Sequence, residues 1–164
     1  MEDFPLKQAT LCLLVKGAPP SHVLLGYKKV GFGQGKYGGF GGKVEDGESI
    51  EAAATREMEE ETGLRITPDE LQLAARLAFL FPFREDWSQL VHLFIAQSWQ
   101  GELVESDEMQ PAWFAVDEIP YRSMWADGEY WLPLVLAGRR IQARFVFGED
   151  NETVREAVIE ELDL

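Results

Sequence analysis

Apolar residues dominate Gln8 to Lys16 and His22 to Tyr27, and the turn formers Gly17-Ala18-Pro19-Pro20-Ser21 separate them, which predicts two strands joined by a turn. Gly31 to Gly42 holds seven of the fifteen glycines. It is expected to stay non-helical, because glycine gives up more backbone freedom in a helix than any other residue. The character changes at Ser49. From there to Thr62 the chain is rich in Ala, Glu and Met, opens on a capping hydroxyl and stops at Gly63, which predicts a helix capped at both ends. Leu77 to Phe83 and Leu90 to Trp99 are again apolar and aromatic and read as strands, with a short one at Pro111 to Val116. Tyr130 to Leu136 predicts a helix ended by Gly138, and Ile141 to Phe147 alternates as a strand does. In the tail, Val154, Ala157, Val158 and Leu162 fit helical spacing, although the segment is short and densely acidic. Strands interspersed with few helices predict a mixed α/β fold with helices packed on the faces of a sheet.

The 164 residues contain no internal repeat, no Pro/Ser-rich linker and no low-complexity tract, so one domain over 1–164 is expected. A domain of this length buries about 70% of its unfolded surface, enough for a real core. Cys12, the single cysteine, excludes an internal disulfide framework and sits in an apolar run that favours a buried, inert thiol. That run is too short to span a bilayer, and Glu2 and Asp3 precede it where a signal peptide carries positive charge. A cytoplasmic protein with no membrane partner is expected, and a monomer is the default.

Charge narrows the partners. Fifteen bases against 29 acids give −14, the wrong sign for coating polymeric nucleic acid. Eight acids lie between Glu45 and Glu61 with Arg56 alone to offset them, and seven between Glu149 and Asp163 with Arg155 alone. Lys28, Lys29, Lys36 and Lys43 cluster in an acid-free stretch just before the first acidic segment. Cationic loop beside carboxylates points to an anionic ligand bridged by metal.

Within the predicted helix, Glu57, Glu60 and Glu61 at i, i+3 and i+4 share a face, while Glu59 points away. Like charges so spaced destabilise a helix by a few tenths of a kcal/mol per pair, approximately, and call for a cation. The residues alone leave two readings: a site for Mg²⁺, a hard ion suited to carboxylates, water and phosphate, or a solvated acidic face. Gly33-Gln34-Gly35-Lys36-Tyr37-Gly38 formally satisfies a dinucleotide-binding triplet, but no helix opens at its glycines, and no P-loop pattern is present. His22 and His92 lie in predicted strands and read as structural.

The wider spacing Gly42-x5-Glu48-x7-Arg56-Glu57-Met58-x-Glu60-Glu61-x-Gly63-Leu64 decides between the two readings. It fills every specified position of the Nudix box, residues 42–64, and the chain is identified as a member of the Nudix hydrolases. Gly31-Phe32-Gly33, Gly39-Phe40-Gly41-Gly42-Lys43-Val44, Val104-Glu105-Ser106-Asp107-Glu108-Met109, Met124-Trp125-Ala126-Asp127 and Tyr130-Trp131-x-Pro133-Leu134 resemble the MutT-type branch that hydrolyses oxidised purine nucleoside triphosphates. The resemblance implies an α/β/α sandwich with a mixed sheet, a strand in place of a helix in the tail, and cleavage of substrates such as 8-oxo-dGTP or 2-hydroxy-dATP to the monophosphate and pyrophosphate. Mg²⁺ is the implied cofactor, with Mn²⁺ able to substitute. Nucleotide-pool sanitation is the implied role.

By the same resemblance the metal would be held by the Gly42 carbonyl, Glu57, Glu60, Glu61 and, from a distant loop, Glu105, with Arg56 holding the glutamates. A glutamate of the cluster, Glu60, Glu61 or Glu105, would take the proton of the attacking water. Lys28, Lys43 and the backbone of Phe40, Gly41 and Gly42 would face phosphate or sugar. Thr10 would lie near the base, Phe32, Phe79 and Trp125 would wall its pocket, and Asp127 would bond the purine edge. Phe79 is equally well explained as core. Two positions depart from the branch: Gly38 stands for an asparagine and Gly128 for a second aspartate, both base-reading side chains, which leaves discrimination among purines open. Glu129 could replace some of that polarity. The alternatives are a Nudix pyrophosphatase for undamaged nucleotides or another nucleoside diphosphate derivative, and a non-catalytic nucleotide sensor, which the intact box disfavours.

Overall fold

The computed structural model describes residues 6–162; Glu2, Asp3 and Asp163, used in the charge argument above, lie outside them. In chain order the elements are β1 (Lys7–Lys16), β2 (His22–Lys28), β3 (Tyr37–Gly38), α1 (Ile50–Thr62), β4 (Gln72–Leu80), β5 (Gln89–Ala96), β6 (Met109–Ala115), α2 (Gly128–Leu136), β7 (Ile141–Phe147) and β8 (Val154–Glu161). The strands form one mixed sheet in the order β3-β2-β1-β5-β4-β7-β8, with β6 also paired to β2. β1 with β5 and β4 with β7 are parallel, and the remaining pairs are antiparallel. Among the described residues no helix is long and apolar enough to cross a membrane.

The alternation of β1 builds both layers of core. Leu13 and Val15 face α2 with Val23, Leu25, Leu77, Phe145, Trp131 and Leu132, whereas Cys12 and Leu14 face α1 with Leu24, Phe40, Ala54, Met58 and Phe94. A strand apolar on both sides is what a sheet covered by helices on both faces requires, so the expected α/β/α arrangement is present. Cys12 is fully buried, and burial pushes its thiol up to about 12.

The helix expected over Ser49 to Thr62 forms with both caps: Ser49 Oγ accepts the Ala52 N–H at 3.0 Å, and Gly63 takes the left-handed conformation at φ 79° while its N–H reaches Glu59 O. The second helix opens at Gly128, just ahead of the expected Tyr130. β4 and β5 stop at Leu80 and Ala96, short of the expected Phe83 and Trp99. The tail is a strand, against its helical spacing. A register shift at Val146/Phe147 leaves Arg155 without a ladder partner, so Val154 and Ile159, five positions apart, both pack against the core. That extra residue breaks the period of two, and Ala157 and Val158, members of the helically spaced set, are exposed. The strand also gives partners to three acids of the second acidic segment. Glu156 meets Arg144 at 2.9 Å, Glu160 meets Gln142 at 3.2 Å and Glu161 pairs with Arg139, so the acids line the sheet's outer strand, where charge discourages edge-to-edge pairing.

Candidate active site

Residues 38–43 run antiparallel beside β1 and bring the glycine loop to the end of α1. Cys12 and Phe40 exchange backbone bonds at 2.7 and 3.1 Å, and Thr10 N donates to the Gly42 carbonyl at 2.9 Å. Glycine is required at position 41, where a Cβ would lie 1.8 Å from the Thr10 carbonyl oxygen, and a Cβ on Gly42, 2.8 Å from the Glu57 carboxylate, would displace that side chain. Phe40 itself is fully buried under α1, so its ring is core and only its backbone belongs to the loop.

Arg56 organises the box. Its guanidinium donates to Glu48 through Nε at 2.6 Å and Nη2 at 3.0 Å, to Glu57 at 2.9 Å, to Glu60 at 3.2 Å and to the Lys43 carbonyl at 3.2 Å. The Arg56 bonds, with the Glu45 N–H, hold Glu48 down at about 2. The resemblance implies that Arg56 holds the glutamates, and its guanidinium fork engages Glu48, Glu57 and Glu60.

The three helix acids are not equivalent. Glu60 is mostly exposed and its oxygen is held by Arg56. Glu57 is tucked between Arg56 and Gly42, and burial raises its carboxyl against the lowering effect of Arg56. Glu61 is 4% exposed, accepts the Gly41 N–H at 3.0 Å and is pushed up to about 8, first by burial and then by the charge of Glu57. Lys28 opposes that rise, and Glu108, which the sequence reading did not single out, adds to it at both Glu57 and Glu61. Among the described residues no three acids converge closely enough to enclose an ion. Mg²⁺ does not need such a cage: it is held through one or two carboxylates, several waters and substrate phosphates. One buried and one half-buried carboxyl, Glu61 and Glu57, both raised by desolvation beside a side-chain-free loop, are a donor set that gains most from a hard cation, so the residues fit it.

Glu61 and the glycine loop form one end of a cavity of about 550 Å³. Thr10, Lys28, Gly38, Gly41, Gly42 and Lys43 line it together with Phe32, Phe79, Trp125 and Asp127, so most of the residues expected to meet substrate are brought together. Glu57, Glu60 and Glu105 are not among its lining residues, and neither is Arg56. Glu105 meets Lys29 at 2.5 Å instead. The Thr10 hydroxyl is buried on this wall and has no hydrogen-bond partner among the described residues.

The far end is aromatic. Phe32 stacks on Trp125 with centroids 5.2 Å apart and meets Trp87 edge-on at 5.0 Å. Phe79 stacks on Phe145 at 5.7 Å while also lining the cavity, which makes it core and pocket wall at once. Phe81, Trp87, Trp131 and Phe147 complete the wall and were missed. The signal was available for two of them, Phe81 and Phe147: Leu77, Phe79 and Phe81 alternate, as do Phe145 and Phe147, so each set shares a sheet face. Asp127 is 5% exposed beside these rings. Burial raises its carboxyl to about 6, while the bond from Trp131 Nε1 at 2.7 Å opposes the rise. A Cβ on Gly38 would meet nothing within 4 Å, and one on Gly128 would meet only the flexible Met124 side chain, 3.2 Å away. Glu129 is exposed and does not line the cavity. His92 bonds Gln8 at 2.8 Å and His22 bonds Ser21 at 2.9 Å, the structural roles expected.

A mixed sheet between two helices, a glycine loop against a glutamate helix and a deep cavity between them define a Nudix hydrolase. The NUDIX domain family matches residues 5–135, and the chain belongs to it. The oxidized purine nucleoside triphosphate hydrolase of Danio rerio is 45% identical over 160 residues, which are 98% of each chain. That of Mus musculus is 40% identical over 158 residues, covering 96% of this chain and 99% of its own. Among solved structures, the Mutator MutT protein from Bacillus halodurans is similar with a TM-score of 0.80 at 25% identity, covering 94% of this chain and 98% of that one.

Proposed function

We propose that the protein hydrolyses oxidised purine nucleoside triphosphates to the monophosphate and pyrophosphate, keeping damaged bases out of the cytoplasmic nucleotide pool. The observation that carries the reading is the single cavity with two chemically distinct ends, Glu61 and the glycine loop at one and a ring-walled pocket holding one buried carboxyl at the other. The relatives at 45% and 40% identity, both named for this activity, support it.

The aromatic end takes the base. Phe32 and Trp125 offer ring faces, Asp127 offers a carboxyl already held by Trp131, and the unpartnered Thr10 hydroxyl gains a hydrogen bond when a ligand arrives. Lys28 and Lys43 face the polyphosphate. Glu57 and Glu61, with the Gly42 carbonyl, Glu60 and Glu105, would hold Mg²⁺. Such an ion would neutralise phosphate charge and make water a better nucleophile. Arg56 keeps Glu57 in place, and a glutamate of the cluster accepts the water's proton.

Turnover of a panel of 8-oxo-dGTP, 2-hydroxy-dATP, dGTP and dATP with Mg²⁺ tests the reading. A higher kcat/KM for an oxidised purine is the expected result. Equal turnover of all four would remove the sanitation role and leave a general nucleotide pyrophosphatase.

A further inference from the structure

Two tight turns far apart in the sequence meet at the aromatic end of the cavity. In the turn between β2 and β3, the Gln34 N–H donates to Gly31 O, the Lys36 N–H to Gly33 O and the Lys28 N–H to Lys36 O, all at 3.0 Å. In the turn between β7 and β8, the Asp150 carboxylate accepts the N–H groups of Glu152 and Thr153 at 3.0 and 2.9 Å and the Thr153 hydroxyl at 2.6 Å. Each turn is braced by its own hydrogen bonds, and Lys36 joins them. Its Nζ lies 3.1 Å from Glu152 Oε1 and 5.0 Å from the centroid of the Trp125 ring, and Lys36, Trp125 and Phe147 all line the cavity. A Cβ on Gly33 would lie 3.2 Å from Trp125 Nε1, so the first turn also packs against the polar edge of the indole.

We propose that Lys36 is a positioning residue: latched by Glu152, it holds the Trp125 indole in the orientation that receives a planar base. Trp125 precedes α2 in irregular structure, so side-chain neighbours set the direction of its ring. Phe32 stacks on it at 5.2 Å, and Phe81 and Phe147 meet it edge-on at 6.0 and 6.1 Å. Lys36 is the neighbour anchored by charge to the opposite turn. Its ammonium is attracted at once by the negative face of the indole and by the Glu152 carboxylate. The side chains are partly exposed, 24% at Lys36 and 58% at Glu152, so the ion pair alone is worth about a few-fold and the cation over the ring a similar factor. The idea rests on the base-binding role given to Trp125 above and deepens it, because it names what aims the ring.

Binding of 8-oxo-2′-deoxyguanosine, a nucleoside without phosphate, followed on the Trp125 indole N–H resonance of isotope-labelled protein, tests it alongside steady-state turnover of 8-oxo-dGTP. Lys36→Gln should displace that resonance in the free protein and weaken nucleoside binding about tenfold. It should raise KM for the triphosphate by a similar factor with kcat within about twofold of wild type, the mark of lost uniform binding. Glu152→Gln should weaken nucleoside binding about threefold, and Lys36→Arg, which keeps a cation over the ring, should recover most of the loss. In a Lys36→Gln background, Glu152→Gln should change nothing further. A Lys36→Gln loss seen with the triphosphate and absent with the nucleoside overturns the proposal, since Lys36 would then act on phosphate. An effect of Glu152→Gln that persists without Lys36 also overturns it. Failure of the wild type to bind nucleoside or triphosphate, with the Trp125 resonance unmoved, would instead overturn the base-pocket reading itself.

Discussion

The two ends of the cavity are built in opposite ways. The carboxylate end comes mainly from one continuous stretch, Gly41 to Gly63, in which a glycine loop and a capped helix carry Glu57, Glu60 and Glu61, and Arg56 clamps its own neighbours. The base end comes from distant segments: Phe32 from the loop after β2, Phe79 from β4, Trp125 and Asp127 from the approach to α2, and Phe147 from β7. The first is a polar device in which burial raises carboxyl pKa values and creates demand for a cation. The second is an apolar wall in which one carboxyl is kept, and where two positions that could carry more polarity are glycine. Reaction is thus set locally and selectivity globally.

The largest expected effect falls on the carboxylate end. Glu61→Gln should lower kcat roughly 10²- to 10⁴-fold while leaving the fold intact by circular dichroism, and Glu60→Gln should cost less, because Glu60 is exposed and lies off the cavity. Equal losses in the two variants would erase the distinction drawn between these acids.

Next comes the pH dependence of the base end. Asp127 titrates at about 6 in the folded chain against an ordinary value of 3.8. The folded state binds the proton more tightly, so its contribution to stability is complete below about pH 4 and is lost as pH rises through about 6. A difference of this size is worth on the order of 3 kcal/mol. Asp127→Asn should flatten the stability profile between pH 4 and 6 in denaturant titrations; an unchanged slope would mean that Asp127 is not the titrating group.

Stacking is the next probe. Trp125→Ala should reduce kcat/KM for 8-oxo-dGTP by about 5- to 150-fold, the usual range for losing one base–aromatic contact. A loss in kcat alone, with KM unchanged, would place Trp125 outside base binding. The smallest effect is expected at Gly38. The space beside it accepts a side chain without displacement, so Gly38→Asn should leave the melting temperature within a degree or two and shift the preference between 8-oxo-dGTP and dGTP by about tenfold. Identical preference in the variant would show that this wall does not read the base.

The same contrast explains what could be read from the chain. The Nudix box was legible because its pattern is local: helix periodicity and caps put Glu57, Glu60 and Glu61 on one face, and the resemblance of the whole box implied their roles and that of Arg56. Five strands and the first helix were likewise found near their observed bounds. The base pocket was reached through resemblance, and its missed members, Phe81, Trp87, Trp131 and Phe147, belong to segments that converge only in the folded sheet. Glu60 and Glu105 show the limit on the other side. Spacing put Glu60 on the right face, but Arg56 and solvent hold its carboxylate, and nothing in the spacing of Glu105 foretold the Lys29 pair. The tail's helical spacing was no guide because β8 pairs with β7 at the sheet edge, where Ala157 and Val158 are exposed and Val154 and Ile159 pack against the core.

If one cavity seats the base against aromatic rings and the carboxylate end directs cleavage between the α- and β-phosphates, phosphorus NMR of 8-oxo-dGTP incubated with the protein and Mg²⁺ will register it in the products. Equal amounts of monophosphate and pyrophosphate, appearing only when the metal is present, are the result predicted. Release of orthophosphate, or the same rate in excess chelator, would contradict the account.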